Sequence, residues 1–134
     1  MKIKDLNEGN YVKRKGEYSN MQIEYFEKKI IFFKGYHYGR YLAEIEPIQL
    51  SKEWLDKFGF TFNDYKKGYC GKDIKGSDFP LVTPENINHS GEGFRFVYEI
   101  GRVCKYIEIK HVHQLQNLFY ALTDEDLNIV EAAA

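Results

Sequence analysis

From Tyr11 to Ile45 apolar and polar positions alternate in short runs cut by glycine- and lysine-rich pieces. This pattern predicts strands at Tyr11-Val12-Lys13-Arg14, Met21 to Phe26, Ile30 to Phe33 and Tyr41 to Ile45. The separating pieces, Lys15-Gly16-Glu17 and Lys34-Gly35-Tyr36-His37-Tyr38-Gly39-Arg40, carry turn chemistry. So little sheet needs closure or a cover for its edges, which points to a curled antiparallel sheet or small SH3-like barrel over residues 1–50. Pro47 closes the strand region. Ser51-Lys52-Glu53-Trp54-Leu55-Asp56-Lys57-Phe58-Gly59 then reads as a short linking helix. Ser51 is the N-cap, Leu50 and Leu55 are the staple pair, and Gly59 supplies the left-handed end.

From Thr61 to Gly93 the period breaks down, predicting long loops with short strands near Thr61-Phe62 and Pro80-Leu81-Val82. The next segment is the most definite. Phe94 to Ile100 and Val103 to Ile109 flank Gly101-Arg102, a two-residue connection suited to a type II′ turn. Pairing across it sets Ile100 beside Val103, Phe96 beside Ile107 and Phe94 beside Ile109 on an apolar face, with Arg95 opposite Glu108 on the other. After Lys110 the period becomes helical. Val112, Leu115, Leu118, Phe119 and Leu122 form one stripe, expected to pack on the apolar face of the hairpin, while Gln114, Gln116 and Asn117 lie off it. The fold class is therefore α+β: a β lobe over 1–50, a linking helix over 51–59 and a loop-rich lobe over 60–131 ending in hairpin plus helix. One compact unit of this length is the simplest organisation.

Composition strengthens the β reading, because 11 Tyr and 10 Phe favour strands. A net charge of −1 excludes a protein living by indiscriminate attraction to phosphate backbones, and neither half, divided at Gly59, is strongly basic. The start, Met1-Lys2-Ile3-Lys4-Asp5, has no apolar stretch of signal-peptide length, and the longest apolar run, Ile30-Ile31-Phe32-Phe33, is far too short to span a membrane. The expected location is the cytoplasm, with Cys70 and Cys104 as free thiols.

Catalytic chemistry finds little purchase. His111-Val112-His113 is the nearest histidine pair, but no Cys or carboxylate stands at a zinc-like spacing, so no metal is expected and these side chains read as the helix start. No Gly-x-Ser-x-Gly elbow and no family-type cysteine neighbourhood is present, and no carboxylate pair is singled out. The reading is a protein without catalytic residues or cofactor. Gly91-Glu92-Gly93 lacks the strand-to-helix setting of a dinucleotide fingerprint.

Two segments carry binding chemistry instead. In the first, Lys34, Tyr36, His37, Tyr38 and Arg40 interleave basic groups with aromatic rings between glycines, which suits stacking a base and holding a phosphate. In the second, Lys67, Tyr69 and Lys72 repeat that chemistry beside Gly68 and Gly71, whose backbone N–H groups can face an anion. Strand-edge and turn residues of ordinary hairpins have the same composition, so pairing of the two segments is what favours a ligand.

Two stretches resemble a family of small uncharacterised proteins of Bacteroides-type bacteria and their phages and mobile elements. The first runs from Ile3-Lys4-Asp5-Leu6 through Gly9-Asn10-Tyr11-Val12 and continues at Ile45-Glu46-Pro47-Ile48-Gln49-Leu50-Ser51-Lys52-Glu53-Trp54-Leu55 and Lys57-Phe58-Gly59-Phe60. The second is Tyr106-Ile107-Glu108-Ile109-Lys110-His111-Val112-His113-Gln114, Gln116-Asn117-Leu118 and Ala121-Leu122-Thr123. The resemblance implies a mobile-element origin, and some small phage proteins of this kind interfere with host defence by sequestering nucleotide immune signals. It assigns no residue a role. Together these readings give a non-enzymatic binder of a small anionic nucleotide-like ligand, with self-association open. The alternatives are an SH3-like adaptor for protein or nucleic acid and a hydrolase of signalling nucleotides.

Overall fold

The computed structural model describes residues 1–64, 67–70, 81–84 and 93–130. Its strands are β1 (Tyr11–Arg14), β2 (Asn20–Glu27), β3 (Ile30–Phe33), β4 (Arg40–Tyr41), β5 (Ile45–Pro47), β6 (Thr61–Asn63), β7 (Gly68–Cys70), β8 (Leu81–Pro84), β9 (Phe94–Ile100) and β10 (Val103–Ile109). Two α-helices, α1 (Lys52–Lys57) and α2 (Val112–Thr123), complete an α+β fold with two antiparallel sheets of five strands. The chain forms two compact units, one of Met1–Gln49 with His111–Asp126, the other of Leu50–Lys110 with Leu127–Ala134.

In unit 1 the strand order is β4-β3-β2-β1-β5. The sheet stays open, so the closed barrel considered for this region does not form. Its end strands, β4 and β5, have only 2 and 3 residues, and short edges are one way a small sheet avoids unwanted pairing without closing. Period-two alternation buries Val12, Met21, Ile23, Ile31, Phe33 and Ile45 with Leu6 in one cluster. Between Ile23 and Tyr25 the β2–β3 register shifts by a bulge. Phe26 opposite Ile31 therefore continues the core side, and Tyr25 opposite Phe32 turns outward.

Helix α2 belongs to unit 1. What ties it there is polar. Gln116, buried at 5% exposure, accepts the Tyr11 N–H at 2.9 Å and donates to the Gly9 carbonyl at 2.9 Å. Asn10, equally buried, donates to Asn117 Oδ1 at 2.9 Å, and Asn117 donates to the Asp5 carbonyl at 2.9 Å. These amides replace the backbone partners that the irregular entry to β1 lacks. They join Gly9-Asn10-Tyr11 to Gln116-Asn117.

In unit 2 the order is β10-β9-β8-β7-β6. The hairpin register is the one the sequence implies: Ile100 with Val103, Phe96 with Ile107, Arg95 with Glu108 and Phe94 with Ile109, turning on Gly101 at φ 63°. Helix α1 is fixed at both ends. The Trp54 N–H reaches Ser51 Oγ at 3.4 Å, Gly59 N–H donates to the Asp56 carbonyl and Phe60 N–H to the Leu55 carbonyl, the paired bonds of a Schellman stop with Gly59 at φ 85°. A buried set including Leu50, Trp54, Leu55, Phe58, Phe60, Val82, Phe94, Phe96 and Ile109 supplies this unit's core. Among the described residues, no helix is long and apolar enough to cross a membrane.

Candidate functional site

The first predicted ligand segment is the connection from β3 to β4 in unit 1. Lys34 N–H donates to the Gln22 carbonyl at 3.0 Å, prolonging the ladder, and Tyr36 N–H donates to the Phe33 carbonyl at 3.2 Å, closing a turn through Gly35 at φ 80°. Lys34, Tyr36, His37 and Tyr38 are all exposed on this turn. Tyr36 is 50% exposed and Tyr38 82%. Arg40 is half-buried and its Nη1 lies 3.2 Å from Glu44 Oε2, an i,i+4 ion pair across the one-turn 3-10 helix at Leu42–Glu44. Arg40 therefore braces the end of the segment, and Lys34 and His37 are the segment's exposed basic side chains.

The structure adds a surface that sequence reading missed. Tyr25 and Phe32 stack across β2 and β3 with ring centroids 4.6 Å apart and planes 7° from parallel. One step along, Ile30 pairs with Tyr41 of β4. These side chains stand on the face opposite the buried cluster, and Tyr25 and Tyr41 remain 43% and 57% exposed. The predicted segment adjoins this face through Gly39. A Cβ there would collide with the Ile30 Cγ2 methyl and come within 3.1 Å of the Phe32 ring. The signal was present in Ile30-Ile31-Phe32-Phe33, a run too uniformly apolar for a strand with one wet face: Ile31 and Phe33 are buried, and Ile30 and Phe32 supply the second, outward side.

The second predicted segment lies in unit 2 and is a strand where a loop was expected. Gly68 to Cys70 form β7, paired with β6 and β8. Tyr69 is 6% exposed, its ring meeting Phe62 edge-on at 5.1 Å, and burial, with Asp56 adding, pushes its phenol above the usual tyrosine range. A ring so enclosed is a core side chain, which does not offer a face for stacking. Lys67 is exposed at the β6–β7 turn with φ 53°, and Lys72 lies outside the described residues, as do Gly91 and Glu92.

The histidine pair sits at the start of α2. His111 occupies the N-cap, where its backbone N–H donates to Gln114 Oε1 at 3.0 Å, and its ring lies parallel to that of His113 at 5.7 Å. His113 is 4% exposed, and its Nδ1 is buried with no hydrogen-bond partner. Burial first, then the neighbouring His111, lowers its pKa to about 4, so it is neutral at pH 7. Among the described residues, no three His, Cys, Asp or Glu side chains gather as a metal site requires. Cys70 and Cys104 are free thiols, the first half-buried and the second exposed.

Comparison with protein-family models, with curated proteins and with solved structures finds no match to this chain. The chemistry of its own surface is what bears on function.

Proposed function

We propose that the protein is a non-enzymatic binder of a small anionic, nucleotide-like ligand, held on the outward aromatic face of unit 1. The observation that carries this reading is the outward ring set of exposed Tyr25 and Tyr41 with half-buried Phe32, beside the Lys34–Arg40 turn. A monomeric surface gains nothing from exposing so many rings in one place, and aromatic patches that stay wet usually meet a partner. A base stacks on such rings regardless of its hydrogen-bonding pattern, and stacking contributes ~1–3 kcal/mol per base. Lys34 and His37 stand on the adjoining turn, and a phosphate held there would receive charge-assisted hydrogen bonds. Sequestration of a signalling nucleotide, in a protein of mobile-element origin that acts against host defence, is the role this chemistry suits.

Calorimetry against adenosine monophosphate, ADP-ribose and a cyclic dinucleotide tests it. Saturable heat with at least one of them, with the ligand recovered intact by chromatography, is the expected result. A flat titration across all three overturns the reading, and a hydrolysed product converts it into that of an enzyme. The same rings on an open sheet also favour a single-stranded oligonucleotide as the second reading. That reading is distinguished by a salt-sensitive complex and no response to the mononucleotide.

A further inference from the structure

Gly39 stands where the β3–β4 ladder would set the cross-strand neighbour of Phe32, because Ile31 pairs with Arg40 and Ile30 with Tyr41. It lacks the left-handed backbone of Gly35, so a turn conformation is not what selects glycine here. Space is. The volume that a side chain at 39 would take is occupied by the Ile30 Cγ2 methyl and by Cε1 and Cζ of Phe32, the two ring atoms each 3.1 Å from the Cβ position. The same Phe32 ring is stacked on Tyr25 on its other side. An aromatic ring lying over a glycine of the neighbouring strand shields the bare backbone and is fixed by it.

We infer that Gly39 is a positioning residue of the aromatic face: the room left by its missing side chain lets Phe32 lie parallel to Tyr25. The ligand part of this inference rests on the binding reading above, and the steric part does not. A methyl group at position 39 must displace either the β-branched Ile30, whose Cγ2 cannot swing aside without changing rotamer, or the Phe32 ring, which then tilts away from Tyr25. The buried side of β3, Ile31 and Phe33, keeps its contacts in either case.

The test is Gly39→Ala, followed by the aromatic NMR resonances of Tyr25 and Phe32 and by nucleotide titration. In Gly39→Ala the mutual ring-current shifts of Tyr25 and Phe32 are expected to collapse while the methyl resonances of Ile23 and Ile31 stay in place. Affinity for whichever of the three nucleotides binds falls about tenfold, the scale of one lost base stack. Replacing Ile30 by leucine removes the offending branch, so the double variant Gly39→Ala, Ile30→Leu is expected to regain the ring-current shifts. That double variant also carries the test if the single variant fails to fold. Wild-type ring shifts in Gly39→Ala, or no recovery in the double variant, overturn the inference. Normal NMR behaviour of both variants alongside a wild-type protein that binds no nucleotide removes the ligand reading and leaves the positioning role intact.

Discussion

Unit 1 buries amides and exposes rings, and the two regions that do so obey opposite rules. At the α2 clasp Asn10 and Gln116 lose water and find a hydrogen-bond partner for both the oxygen and the nitrogen of each amide, so the polar groups act as structural pins. On the outer side of β2, β3 and β4 the rings of Tyr25 and Tyr41 keep their water contact, although burial is what aromatic surface ordinarily gains from folding. Polarity is therefore a poor guide to purpose in this chain. A buried amide with partners for both its polar atoms explains itself, whereas an exposed cluster of rings is what the proposed ligand would cover.

Breaking the clasp should have the largest effect. Gln116→Ala leaves the buried Tyr11 N–H without its acceptor and opens a cavity, and a loss of roughly 4 kcal/mol in unfolding free energy is expected from chemical denaturation. Acid should come second. His113 is neutral when folded, with a pKa of about 4 against the ordinary value of 6.5, so as pH falls through that window the unfolded chain takes up the proton first. Stability should be level above pH 6.5 on this account and decline by up to about 3 kcal/mol toward pH 4. The variant His113→Leu, which also removes an unpaired buried nitrogen, should flatten that slope in denaturation curves recorded across the pH range.

At the far end of α2, Asp124 holds a left-handed conformation, φ 60°, and places a carboxylate at the negative end of the helix. Asp124→Gly relieves both, and a gain of about 1 kcal/mol is expected as a raised melting temperature. The smallest effect on stability belongs to the ring face. Tyr38→Ala should change unfolding free energy by no more than about 0.5 kcal/mol, as exposed side chains do, yet weaken nucleotide binding several-fold by calorimetry. A Tyr38 variant as damaging to the fold as Gln116→Ala would erase the distinction between the two regions.

Local rules made much of the fold legible. The β9–β10 register follows from a period of two and a glycine at the turn, and α1 from Ser51 and Gly59, because each signal is complete within a few residues. The helical stripe of α2 was equally clear, but an apolar stripe does not name the surface it meets. Gln116 and Asn117, which hold it to the entry of β1, lie off that stripe, and periodicity assigns such positions no partner. The candidate site was half legible. Lys34 to Arg40 announced itself by composition, whereas Tyr25 joins it only because a bulge reverses the parity of β2 after Ile23, and no rule of alternation contains that bulge. Tyr69 went the other way, since a lysine- and glycine-rich setting concealed a strand whose ring is enclosed.

The hydrogen bond from Asn10 to Asn117 joins residues 107 apart in sequence. During synthesis the first five strands therefore leave the ribosome well before the helix whose amides clasp them, while the intervening segment can begin to organise by itself. A ribosome stalled ahead of His111 would present a sheet with its Gly9–Tyr11 entry unclasped, and such a nascent chain is a natural client for chaperones.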